Sequence, residues 1–139
     1  MNVVAEQSPP VERPDRTPVW PMVVADFQHQ HPEEWKNDDS IRASVRRVVD
    51  DMRARDAVGR ERYGVPLTAG NGRDSLVDAY QELLDGAAYL RTELEQTTMS
   101  AAELGHLQAV YRRTLDSVLT VRWLLDRRAE ANPEGEVEP

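Results

Sequence analysis

The 139-residue chain has no cysteine, which excludes disulfides, thiolate chemistry and cysteine-ligated zinc and removes any need for an oxidising compartment. Positive charge is also scarce. Asp and Glu number 25 against 17 Lys and Arg, a formal net charge of −8. Phosphate backbones demand clustered positive charge, so a general nucleic-acid-binding surface is excluded. An anionic ligand would need local help, from a metal or from placed arginines. Lysine is nearly missing: Lys36 stands alone, and every other basic residue is arginine. Arginine suits bidentate phosphate contacts, although a GC-rich genome is the weightier explanation of the bias. The chain has no run of about 18 apolar residues and no charged start leading into an apolar run, so it is expected to be cytoplasmic, neither membrane-spanning nor exported. Strand-like alternation, internal repeats and heptad arrays are absent, and the GVPLTAGNG stretch lacks the GxxxxGK[ST] pattern that a P-loop requires.

What is present points to one all-α domain. A 40% hydrophobic content fills one core at this length. Residues 1–21 carry Pro9, Pro10, Pro14, Pro18 and Pro21 among charged residues, which predicts a flexible, extended arm. Val23, Val24 and Phe27 then offer docking contacts, and Pro32 opens a short helical turn through Trp35. His29 and His31 alternate in a polar stretch but lack further ligands for a metal. Asp38, Asp39 or Ser40 caps a first long helix, in which Ile41, Val45, Val48, Val49 and Met52 make a stripe at helical spacing. That stripe continues through Asp56, Gly59 and Tyr63, whereas Asp50 and Asp51 point elsewhere. Gly64, Pro66, Gly70 and Gly72 form a loop. A second helix is expected over about 74–96, with Asp74 as its N-cap, and a third over about 100–131. The short connection between these two makes them antiparallel. His106 reads as a packed or surface residue. The third helix has more apolar surface than one seam needs, with Leu115, Leu119 and Trp123 among it. The surplus faces either the first helix or a dimer partner. The expected fold is therefore three long helices plus a short N-terminal turn, a four-helix-type core being completed by dimerisation. Residues 132–139 read as an acidic, unfolded tail.

The most informative element is the second helix. Taking 100° per residue from Asp74, Asp78 falls at about 40°, Glu82 at about 80° and Asp85 at about 20°, so four acids share one quadrant. Leu76, Ala79, Tyr80, Leu83, Leu84, Ala87, Leu90 and Leu94 occupy the opposite face, for packing. Neighbouring like charges repel by a few tenths of a kcal/mol per pair, and a hard divalent cation is one reason to retain them. A solvated face is the other reading. Tyr89, at about 60°, stands within the acidic face. Arg60, Arg62, Arg73 and Arg91 are candidate phosphate contacts, and Tyr63 and Tyr89 are candidates to stack on a base.

The block RERYGVPLTAGNGRDSLVDAYQELLDGAAYL resembles phage-type members of the MazG-like, all-α nucleotide pyrophosphohydrolases, over roughly residues 40–96. In that group a YG…L…NGRD…DAYEE.LD..YL pattern recurs. The resemblance implies a MazG-like helical domain over residues 22–131, a homodimer or higher homo-oligomer, Mg²⁺ as cofactor and a nucleotide ligand. It also implies cleavage of nucleoside triphosphates between the α and β phosphates. Glu82-Leu83-Leu84-Asp85 matches the ExxD half of the group's metal site. On that basis Glu82 and Asp85 hold one ion, while Asp78 holds a second or activates water, and Asp78 and Glu82 carry the catalytic roles; from the helical wheel rather than the resemblance, Asp56 is the acid of the first helix expected to close the site. The chain departs from the pattern upstream, where DDMRARD stands in place of EExxE. This leaves open a non-catalytic nucleotide-binding protein that sequesters a nucleotide signal, or a helical adaptor.

Overall fold

A computed structural model of the chain describes residues 2–133. Among them lie α1 (Val19–Gln30), a 3-10 turn (Glu33–Trp35), α2 (Asp39–Tyr63), α3 (Ser75–Gln96) and α4 (Ala101–Ala131), with no β-strand. The fold is all-α. None of these helices is long and apolar enough to cross a membrane. Of the expected acidic tail, residues 134–139 lie outside the described residues. The chain divides into two compact units, residues 8–72 in one and the described residues on either side of them in the other.

In residues 8–72, α1 occupies ground where only an arm and docking contacts were expected. Its N-cap is Pro18, and Pro21 lies in its first turn, where the N–H that proline lacks would have had no helical partner. Prolines that seemed to forbid a helix thus introduce one, and the arm's expected boundary at residue 21 falls inside α1. The residues before it are fastened as well. The Val11 amide donates to the Asn71 carbonyl at 2.7 Å, the Val19 amide to the Leu67 carbonyl at 2.8 Å, and Arg13 Nη1 to the Gly70 carbonyl at 2.9 Å. Asp38 caps α2 through the amides of Ser40 and Ile41, and the helix stops at Gly64. There φ is +74°, a left-handed conformation that glycine adopts without a Cβ clash. Of the expected α2 stripe, Val45 and Val49 are buried, as is Val24 on α1, and the two helices pack on each other. Asp56 is half-buried at the end of that stripe while Asp51 is exposed, as their places on the helical wheel require.

The other unit is an antiparallel hairpin of α3 and α4. Asp74 caps α3 by accepting from the amides of Leu76 and Val77. Ser100 opens α4 with a reciprocal capping box, its side chain accepting from the Glu103 amide while the Glu103 carboxylate accepts from the Ser100 amide. Arg128, in the last turn of α4, forms an ion pair with Asp74 at the start of α3. The core of the hairpin is Val3, Val77 and Leu125, flanked by Leu76, Tyr80 and Val121. Val3 is only 6% exposed and Leu125 only 1%, so Val3 belongs to the core rather than to a mobile arm. Val77 lies just outside the apolar face read from the sequence. Val3 widens that face by covering one more row of α3. On α4, Leu119 is 71% and Trp123 57% exposed; with Leu115 they form an apolar stripe at i, i+4 and i+8.

Leu125→Ala should destabilise the protein by about 3 kcal/mol through transfer and cavity terms. Val3→Ala removes two buried carbons and should cost about 1.5 kcal/mol. Urea denaturation followed by circular dichroism measures both. An unchanged midpoint for Val3→Ala would mean that this segment does not dock.

Candidate functional site

The acidic row on α3 divides into two halves. In the first, both acids are neutralised. Arg73 Nε donates to Asp78 Oδ2 at 2.8 Å and Arg73 Nη2 to Asp78 Oδ1 at 2.6 Å, the fork-on-carboxylate arrangement that arginine favours. Gln7 Nε2 also donates to Asp78 Oδ1, at 2.6 Å. The same amide donates to the Asp74 carbonyl at 2.9 Å, while Gln7 Oε1 accepts from the Asp74 N–H at 2.6 Å. Arg73 Nη1 completes the cluster by donating to the Gln7 carbonyl at 3.2 Å. Asp74 meanwhile carries the ion pair to Arg128. Partial burial opposes ionisation of Asp74, but the Arg128 guanidinium and the amides of Val77 and Leu76 outweigh it and hold the carboxyl below its usual range.

The second half is open. Glu82 and Asp85, one turn apart, are both exposed, and neither carboxylate enters an ion pair or hydrogen bond among the described residues. Tyr89 continues the same face at 72% exposure. Arg91, a candidate phosphate contact, is paired with Glu95. Arg73, another such candidate, is committed to Asp78 and Gln7.

The remaining candidates belong to residues 8–72. Asp56 accepts from Arg60 Nε at 2.9 Å and lines a cleft of about 270 Å³ together with Trp20, Pro21, Val24 and Arg53. Tyr63 is exposed, with the Arg62 guanidinium 5.3 Å above its ring centroid, a cation–π distance. His31 is the residue after α1 and stacks at a tilt on Phe27. Among the described residues, no group of three His, Asp or Glu side chains is arranged as ligands of one metal ion. Sequence reading did not anticipate Gln7 or Arg128. Each reaches α3 from more than fifty positions away in the chain, and no local spacing announces such a contact.

No family model matches the chain, and neither a curated protein nor a solved structure matches it.

The Asp74 environment predicts a pH signature. Because its folded pKa is depressed, its contribution to stability is complete above the ordinary carboxylate value of about 3.9 and is lost as pH falls through the folded value. Asparagine keeps an N-cap acceptor but not the charge. Asp74→Asn should therefore melt below wild type at pH 6, and the difference should narrow below about pH 4. A constant difference in melting temperature from pH 6 to 3 would refute this assignment.

Proposed function

We propose that the chain is a Mg²⁺-dependent nucleoside triphosphate pyrophosphohydrolase of MazG-like type, acting in the cytoplasm. The observation that carries this reading is the Glu82–Asp85 pair. Asp74 and Asp78 have a structural reason to be acidic, since both sit at the positive N-terminal end of α3 and both have arginine partners. Glu82 and Asp85 have neither, and they fall within the block that resembles the family. Two carboxylates one turn apart fit Mg²⁺, which takes one or two carboxylates and fills its octahedron with water and substrate phosphates. Held there, the ion would neutralise charge on the α and β phosphates. The chain's own part is to place that ion, to accept the proton of the attacking water on a carboxylate of the row, Glu82 or a freed Asp78, and to offer Tyr89 as a stacking surface. Water adds at the α phosphorus, the bond to the bridging oxygen breaks, and a nucleoside monophosphate and pyrophosphate leave.

A second reading, a nucleotide-binding protein that sequesters without cleaving, is favoured by one observation. Asp78 is engaged by Arg73 and Gln7, which leaves two carboxylates of the row for a cation. A nucleotide panel with Mg²⁺, read for pyrophosphate release and for thermal shift, separates the two. Release identifies an enzyme, and a shift without release a binder.

Glu82→Gln and Asp85→Asn remove charge but keep shape. Each should lower turnover well over tenfold, a barrier change above about 1.4 kcal/mol, with the helical circular dichroism intact. Equal pyrophosphate release by wild type and both variants would eliminate this metal site.

The reading includes a homodimer formed through the exposed stripe of α4. Light scattering should give at least twice the chain mass, and Leu119→Asp should return it to one chain mass, because a charge in a packed apolar seam is strongly unfavourable. A wild-type monomer at tens of micromolar would contradict this assembly.

A further inference from the structure

The cleft of about 270 Å³ is lined by Trp20, Pro21 and Val24 from α1 and by Arg53 and Asp56 from α2. All five belong to residues 8–72, so it is built without any residue of the α3–α4 hairpin. Its two walls differ in chemistry. The α1 wall carries no charge: Val24 is buried, Trp20 half-buried and Pro21 exposed. The α2 wall holds one charge of each sign, three positions apart and hence on one face of the helix.

Which of those charges is already engaged decides what the cleft can hold. Asp56 is engaged. Its side chain is 18% exposed, and its Oδ1 accepts from Arg60 Nε at 2.9 Å. Arg53 is open. Its one ion pair among the described residues, with Asp50 on the same helix, is at 3.9 Å between two side chains that stand mostly in solvent, which is past hydrogen-bond reach and worth little. No hydrogen bond among the described residues takes a donor of Arg53.

An indole beside a carboxylate ordinarily suits an organic cation. Here a cation would meet two guanidinium groups, that of Arg60 on Asp56 and that of Arg53, so the preferred sign reverses. The Arg53 fork presents planar donors that match a carboxylate with two parallel N–H bonds. An inorganic anion would leave the α1 wall unfilled, whereas a ring stacked on Trp20 and resting on Pro21 and Val24 fills it. Size limits the ligand to about one ring, because 270 Å³ falls below the roughly 300–1,000 Å³ of sites that hold drug-sized molecules. A nucleoside triphosphate is too large for it.

We propose that this cleft binds a small aromatic carboxylate, its ring against Trp20, Pro21 and Val24 and its carboxylate on the Arg53 guanidinium. Asp56 takes no part in holding the anion; it tethers Arg60, whose release would add a second cation to the site. The assignment goes beyond the pyrophosphohydrolase reading and uses neither Glu82 nor Asp85.

The test uses the full chain labelled with nitrogen-15 and benzoate as the probe. The three indole N–H groups, on Trp20, Trp35 and Trp123, report separately in a heteronuclear magnetic resonance spectrum. Benzoate should shift the Trp20 indole saturably, with the millimolar Kd that suits a ligand of about nine non-hydrogen atoms, and should leave the exposed Trp35 in place. Benzamidine, the same ring with a positive charge, should bind at least about tenfold more weakly, and acetate, the charge without a ring, should not move Trp20. Arg53→Gln should lower benzoate affinity at least about tenfold. Because Arg53 is 63% exposed, its helical spectrum should be unchanged, and the comparison of benzoate with benzamidine needs no variant. Asp56→Asn frees Arg60 and should bind benzoate at least as tightly as wild type. Equal affinity for benzoate and benzamidine, affinity unaffected by Arg53→Gln or weakened by Asp56→Asn, or a Trp20 indole that stays still at about 20 mM benzoate overturns the proposal. None of these readouts involves Mg²⁺ or nucleotide, so the cleft stands or falls whether or not pyrophosphate is released.

Discussion

Asp74 is the point on which the α3–α4 hairpin turns. Its carboxylate caps α3 and binds Arg128 of α4, and its backbone pairs with the Gln7 side chain. Taken singly these are modest: an N-cap is worth about 1 kcal/mol and a partly exposed ion pair less. Their weight comes from how little else the hairpin has. Leu125 is its one fully buried large side chain among the described residues, so polar contacts that fix the start of α3, the end of α4 and the first residues of the chain carry an unusual share of its definition. Because they meet on one residue they are coupled, and loss of one alters the geometry of the others.

Much of this was legible beforehand. The N-cap at Asp74, the break at Gly64, the short turn after Pro32 and the α4 start at Ser100 follow from local chemistry, and the structure has each of them. The half-buried position of Asp56 against the exposed Asp51 follows from periodicity alone. What stayed hidden was long-range or depended on position within a turn. Pro21 reads as a helix breaker until it is known to fall in a first turn, where it breaks nothing. Val3 and Gln7 sit in a proline-containing, charged stretch whose composition predicts disorder, and only contact with residues more than sixty positions later gives them a role. Of the candidate site, the acids on α3 do share a face, but the wheel places side chains without saying which are already spoken for.

That distinction matters for how an acidic row is read. Four carboxylates on one face suggest a uniform electrostatic surface, yet Asp74 and Asp78 are charge-compensated and sit at the favourable end of the helix, whereas Glu82 and Asp85 are uncompensated and mid-helix. Negative potential is therefore concentrated over the second and third turns. In a chain with a net charge of −8, that concentration repels free anions and favours a phosphate ligand only when it arrives with its cation.

The place of Val3 and Gln7 also has a bearing on synthesis. Both must wait for α3, and at about 5–20 residues per second Gln81 is translated roughly 4–15 s after Gln7. During that interval residues 8–72 can form their own contacts while the first residues have nothing to bind. Closing the intervening loop adds a chain-entropy cost that grows only with the logarithm of its length. Docking of the amino-terminal residues is thus set to be a late event of folding, fastened onto a hairpin that is translated after residues 8–72.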